Sequence, residues 1–156
     1  MTDEQIKNQP GVHTVSGPTY SPGFVLVVGD TIKAVGPAEQ QPDAGEAKVV
    51  NLKGQQLFPG LIAPTTALGL IEIPAVRATV DTSEVGTYTP EVKSWLAVNP
   101  DSELIPVARA NGITHFLPVP QGGTITGQSG LMATAGWGYE NMLTHSPVAL
   151  HLSWPS

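Results

Sequence analysis

The sequence predicts an α/β chain with a β-rich N-terminal part, on three observations. From Val12 to Gly54, short β-prone runs are broken repeatedly by turn-forming residues. The apolar residues of Gln55 to Ile62 run consecutively instead of alternating, as in a strand buried on both faces of a parallel sheet or in the wall of a barrel. A capped helical segment ending at Asn111-Gly112 then leads into a further β-prone run, and strand, helix and strand in that order make a β/α unit with parallel strands.

The first strands are expected at His13 to Ser16, Phe24 to Val28, Thr31 to Val35 and Lys48 to Leu52, together a small antiparallel sheet. Gly29 and Asp30 alone separate FVLVV from TIKAV, and the Gly-first order favours a type II′ hairpin turn over type I′. Ala38 to Ala47, AEQQPDAGEA, lacks periodicity and is rich in turn formers, so an exposed excursion is expected there. A change of domain is expected near Gly54, dividing the chain into 1–54 and 55–156.

Ala63 to Asn99 carries Pro64, Pro74 and Pro90 and no sustained period, and is expected as a long, ordered loop. Loops of this length inside compact domains are uncommon and are usually lids or binding loops, which points to a site or an interface. Asn99-Pro100-Asp101-Ser102-Glu103 combines capping residues, a proline suited to a first turn and acids that complement a helix N-terminus. Pro106 removes one backbone bond, so this helix starts late or is kinked. Strands are expected at Ile113 to Val119 and Val148 to Trp154, whereas the Gly-rich segment Gln121 to Gly130 reads as a mobile or tightly turned loop.

Composition removes several function classes. The chain has 156 residues and a net charge of −6, with seven Lys plus Arg and no basic cluster, so nucleic acid is not an expected partner. It has no cysteine, which excludes disulfides, thiolate metal sites and cysteine nucleophiles. No run approaches the roughly 20 apolar residues of a membrane span, and MTDEQIKNQPG has no apolar h-region, so no membrane association is expected and the cytoplasm is the default location. Charged residues are 13% of the chain, against about 25% for an average soluble domain, which leaves a weakly charged surface.

The stretch VLVVGDTIKAVGP, KVVNLKGQQLFPGLI and the following break into small polar residues resembles the amidohydrolase superfamily, imidazolonepropionase-like and dihydroorotase-like members included. RATVDTSEVG, AVNPDSELIPVARANGI and the GGTITGQS segment before GWGYENM resemble a bacterial subgroup that departs from the H-x-H metal motif. The resemblance implies a partial β-sandwich followed by the first strands of an incomplete (β/α)8 TIM-type barrel. It also implies hydrolysis of non-peptide carbon–nitrogen bonds in a small-molecule substrate, assisted by a divalent metal such as zinc. In such proteins D-x-H-x-H follows the PGLI strand, and the corresponding residues here are Ala63, Thr65 and Ala67. Methyl and hydroxyl groups do not replace imidazole as zinc ligands. The family's later ligands lie on strands beyond this chain, so the isolated chain is expected to be truncated and inactive, requiring a completing polypeptide or a homo-oligomer. A non-catalytic binding or assembly module, or one half of a split protein, is the alternative.

The candidate binding residues are Thr65 and Thr66, Glu72, Arg77, Asp81 and Glu84 of the long loop, Gln121, Gly122, Gly123 and Ser129 of the Gly-rich segment, and His151. The loop carboxylates and Arg77 form either an acid, base or cation-binding set or a solvated loop held by an Arg–carboxylate contact. The Gly-rich segment presents N–H groups to an anion, or simply turns. His151 in VALHLSW is a metal-ligand candidate or a structural histidine. Trp95, Trp137 and Trp154 line a cleft or anchor packing. No catalytic residue and no metal ligand is assigned.

Overall fold

A computed structural model describes residues 10–43, 45, 48–52 and 54–154. The protein is β-rich with few helices, its strands lying in several sheets. Contacts divide the chain into two units, Met1–Pro59 and Gly60–Ser156.

The first unit contains β1 (Gly11–His13), β2 (Thr19–Tyr20), β3 (Gly23–Val28), β4 (Thr31–Pro37) and β5 (Gln56–Leu57). β1 pairs antiparallel with β2 and parallel with β5, while β3 and β4 form a separate antiparallel hairpin. Val28 pairs with Thr31 across Gly29-Asp30. Gly29 has φ +63° and Asp30 is not in the positive-φ region, which fits the expected type II′ turn and excludes type I′. The first strand ends at His13, not Ser16, because the chain reverses at Thr14-Val15-Ser16: Ser16 N–H donates to Thr14 O at 2.8 Å and Val15 is forced to φ +65°.

The strand expected at Lys48 to Leu52 does not form. Val49 and Val50 are exposed and no neighbouring strand pairs with them among the described residues, so β propensity has nothing to act on. Ala38–Gln40 is a short 3-10 turn with Ala38 buried; Ala44, Glu46 and Ala47 of the expected excursion, and Met1 to Gln9 of the polar start, lie outside the described residues.

The single buried strand expected over Gln55 to Ile62 is two strands. Pro59 has no N–H for a ladder, and Gly60 lies so close to the Thr114 side chain that a Cβ there would collide with it. The chain resumes as β6 (Leu61–Thr66), with Leu61 and Ile62 exposed instead of buried.

The second unit is one four-stranded sheet in the order β6, β7 (Ile113–Pro118), β8 (Ile125–Ala133), β9 (Leu143–Leu152). β6 and β7 run parallel, Leu61 opposite Ile113, and helix α1 (Leu104–Ala110) lies in their connection, so the expected β/α unit is present. The helix starts late, which puts Pro106 in its first turn, where an N–H has no intrahelical partner. Gly112 at φ +87° ends it. The remaining pairs are antiparallel, and a short helix α2 (Tyr139–Met142) joins β8 to β9. No helix among the described residues is long and apolar enough to cross a membrane.

β8 replaces the loop expected from the Gly-rich segment. Glycine and hydroxyl residues hide its strand character, yet it is largely buried, and Gly127 and Gly130 are small for a reason. At Gly127 (φ +121°) a Cβ would lie 2.8 Å from Val92 O; at Gly130 it would lie 2.9 Å from Leu143 Cδ1. β9 also begins earlier than expected, at Leu143, and carries Pro147 on the edge of the sheet, where a missing N–H is tolerated.

β7 and β8 pair only at His115 with Ala133 and Phe116 with Met132, then separate. The long loop fills the gap. Thr89 N–H donates to Ile125 O (2.8 Å), Gln128 N–H to Val92 O (2.7 Å), and isolated parallel bridges join Tyr88 to Ile125 and Lys93 to Gln128. The buried Ser94 hydroxyl lies 2.5 Å from Pro118 O at the end of β7 and 3.1 Å from Gln128 O on β8, sharing its proton between them. Beneath it Leu70, Trp95, Val98, Ile105, Phe116, Met132 and Met142 form the core of this unit.

Removing the Ser94 hydroxyl leaves both carbonyls without that donor. Ser94→Ala is therefore expected to lower stability by about 1–3 kcal/mol, read as a lower urea midpoint at unchanged slope. A loss below ~0.5 kcal/mol, the size of an ordinary surface change, would show that this hydroxyl does not join the strands.

Candidate functional site

The C-terminal ends of β6 and β7 open onto the long loop, the position at which α/β sheets commonly bind ligands. Thr65 is exposed there. Thr66 shapes the exit from the strand: its Oγ1 accepts from Leu68 N–H (3.1 Å) and its carbonyl from Val119 N–H (2.9 Å).

The loop then folds back on itself. Asp81 N–H donates to Leu70 O (2.8 Å) and Glu72 N–H to Thr79 O (3.1 Å), closing a small hairpin with a bridge between Ile71 and Val80. Glu72 accepts from Ser102 Oγ (3.0 Å) and Asn99 Nδ2 (3.4 Å), so its carboxylate ties the loop to the turn that starts α1. Arg77 Nη1 donates to Val80 O at 2.6 Å. The loop is thus held by carboxylate-to-hydroxyl and Arg-to-carbonyl bonds, and these take up Glu72 and Arg77.

Asp81 and Glu84 have a different setting. With Thr82 and Ser83 they form one wall of an open cleft of about 350 Å3 whose other wall runs from Val92 to Ala97. Leu70 and Pro120 also line it. Asp81, Glu84 and Lys93 are exposed and line this cleft, so residues of both charge signs border it. Thr82, Ser83 and Lys93 escaped the sequence reading because no spacing rule joins a loop turn to a segment ten residues later.

The Gly-rich segment stitches the loop to β8. The N–H groups of Gln121, Thr124 and Ile125 donate to Thr82 O (2.7 Å), Thr87 O (2.7 Å) and Thr87 O (3.1 Å) respectively. Gly122 lies against Ser83, and at Gly123, φ +62°, a Cβ would stand 2.8 Å from Thr87 O. Close approach of two backbones accounts for the paired glycines.

Ser129 and His151 meet on adjacent strands, Oγ to Nε2 at 2.8 Å. This is the spacing of a nucleophile and its base. Ser129, however, has 0% exposure, so no substrate carbonyl reaches its oxygen and the pair holds β8 to β9. Burial pushes the His151 pKa below its ordinary value by disfavouring the charged imidazole. Trp95 belongs to the core, whereas Trp137 and Trp154 are exposed.

The residues present do not fit the divalent metal that the amidohydrolase resemblance implies. Ala63, Thr65 and Ala67 offer no imidazole or carboxylate, and among the described residues no three His, Asp or Glu side chains converge.

No family model and no curated protein sequence matches this chain. Among solved structures, the chain is similar to the crystal structure of an amidohydrolase from Thermotoga maritima MSB8, with a TM-score of 0.83 and 28% identity. The match covers 96% of this chain and 38% of that one, so the chain spans well under half the length of its structural neighbour. The fold is amidohydrolase-like.

Burial of His151 carries a pH dependence. Its folded-state pKa lies below the unfolded value of about 6.5, so the unfolded chain takes up the proton first. Stability from this group is full above about pH 6.5 and falls as pH drops through that value toward the folded pKa. Thermal melts between about pH 8 and pH 5 should show this decline in the parent and a shallower one in His151→Gln. Equal slopes would take His151 out of the acid response.

Proposed function

We propose that this chain is part of an amidohydrolase-like hydrolase acting on carbon–nitrogen bonds other than peptide bonds, and that alone it is inactive. The likeness to the Thermotoga maritima amidohydrolase over nearly the whole chain carries this reading. In it, residues 1–54 belong to a composite β-sandwich and residues 55–156 begin a (β/α)8 barrel, with β6, α1 and β7 as its first β/α unit. A complete barrel takes about 250 residues.

The substrate is then a small molecule, and its neighbourhood is the loop face beyond β6 and β7, with Thr65, Asp81 and Glu84 exposed toward it. The rest of the barrel is supplied from outside residues 1–156, by more of the same protein, another polypeptide or a second copy. Support for this lies at the sheet edges: Leu61 and Ile62 are exposed on β6, and Val148, Leu150 and Leu152 on β9. Apolar edge strands left open favour association. The isolated chain should therefore elute larger than a monomer in size-exclusion chromatography with light scattering, and should not hydrolyse linear or cyclic amides with or without added zinc. A soluble, compact monomer would overturn the completion, and turnover by the chain alone would overturn its inactivity.

A second reading, a non-catalytic binding or assembly module, is favoured by Thr65 and Ala67 at the positions where relatives of this type carry metal ligands. Metal analysis addresses both readings. The parent should carry far less than the one or two divalent ions per active site of a metallohydrolase. Two imidazoles one residue apart at a strand end point to the same side, so Thr65→His combined with Ala67→His should create a zinc site of micromolar affinity or better. Failure of that double variant to bind zinc would mean that this strand end does not correspond to the metal-binding strand of an amidohydrolase.

A further inference from the structure

We propose that the cleft between Asp81–Glu84 and Lys93–Ala97 binds a small zwitterion, a molecule with a protonated amine at one end and a carboxylate at the other on a short aliphatic body. Four observations on the second unit carry this. The cleft holds about 350 Å3, within the range of small-molecule sites. Its walls are set by backbone bonds: Asp81 N–H to Leu70 O at 2.8 Å on one side, and the turn closed by Ala97 N–H to Ser94 O at 3.1 Å on the other.

Thr82 lines this cleft and is only 9% exposed, yet its hydroxyl has no hydrogen-bond partner among the described residues. Buried hydroxyls in folded proteins are nearly always partnered, so a hydroxyl without an internal partner at a cleft is open to a polar ligand or to water. Ser94, in the opposite wall, differs because both of its contacts are internal.

The charges supply the ligand's polarity. Asp81 and Glu84 form no ion pair or side-chain hydrogen bond among the described residues, and neither does Lys93. Two carboxylates recognise an ammonium and the lysine recognises a carboxylate, whereas a simple cation or a simple anion meets one like charge. Leu70 and Ala97 provide an apolar surface for the short body between them. The inference deepens the hydrolase reading, on which it rests for the ligand's role as a substrate, while binding itself is read apart from turnover and uses only groups within this chain.

Titration of the 156-residue chain with 4-aminobutanoate by calorimetry tests it, with butylamine and butanoate as single-charge controls. Saturable binding is expected, tighter than either control by about three- to fivefold, the size of one exposed ion pair. Lys93→Gln should erase the preference over butylamine, and Asp81→Asn with Glu84→Gln the preference over butanoate. Thr82→Val should weaken binding about three- to tenfold, the size of one hydrogen bond, while leaving the melting temperature unchanged or higher. No saturable heat up to about 10 mM, or equal affinity for the zwitterion and a control, overturns the proposal. A lowered melting temperature for Thr82→Val with unchanged binding overturns it as well, by showing that the hydroxyl is satisfied within the protein.

Discussion

The second unit depends on how it fills the space where β7 and β8 part. Two strands that pair at only two positions would leave a row of backbone carbonyls and N–H groups open inside the sheet, and unpaired backbone groups away from water are costly. The loop segment Thr87 to Ser94 takes the missing partner's place, bonding to Thr124, Ile125 and Gln128, and the Ser94 hydroxyl closes the apex between Pro118 and Gln128. This explains why a loop with almost no regular structure is ordered, and why glycine recurs in and just before β8: Gly123 and Gly127 sit where the loop backbone comes within contact distance.

The same wedge separates residues that build the site from residues that stand in it. Glu72, Arg77, Thr66 and Gln121 each give a polar group to a bond within the fold, so their chemistry is absorbed by architecture. Ser129 and His151 have the spacing of a catalytic pair, but the Ser129 hydroxyl is fully buried. Asp81, Glu84, Thr82 and Lys93 remain with groups directed to no internal partner, all on the cleft formed where the loop folds back. The amidohydrolase-like fold therefore carries polar groups at its loop face even though the strand end at Thr65 and Ala67 cannot hold a metal.

Local signals were legible where one element carries its own punctuation. Gly29-Asp30 specified the hairpin and its turn type, Asn99 to Glu103 with Asn111-Gly112 bounded α1, and the apolar run at Ile113 marked β7. The reading failed where pairing decides. Lys48 to Leu52 has the composition of a strand and finds no partner among the described residues, while Ile125 to Gly130, within the Gly-rich segment, has the composition of a loop and lies in a strand enclosed by neighbours on both sides. Gln55 to Ile62 has the continuous apolar content of one strand; Pro59 and the crowding at Gly60 break it into two.

By itself the sequence determined the β-rich N-terminal part, the β/α unit, and the absence of imidazole at Ala63, Thr65 and Ala67, because these follow from residue identity and from contacts close in the chain. The tertiary structure alone decided that β8 exists and that Glu72 and Arg77 are structural. It alone brought Lys93 to the same cleft as Asp81 and Glu84. Apart from the local bond of Arg77 to Val80, these outcomes rest on contacts far apart in the chain, such as Ser94 with Pro118 at 24 positions and Gln128 with Pro90 at 38, and no local pattern encodes a partner at that distance.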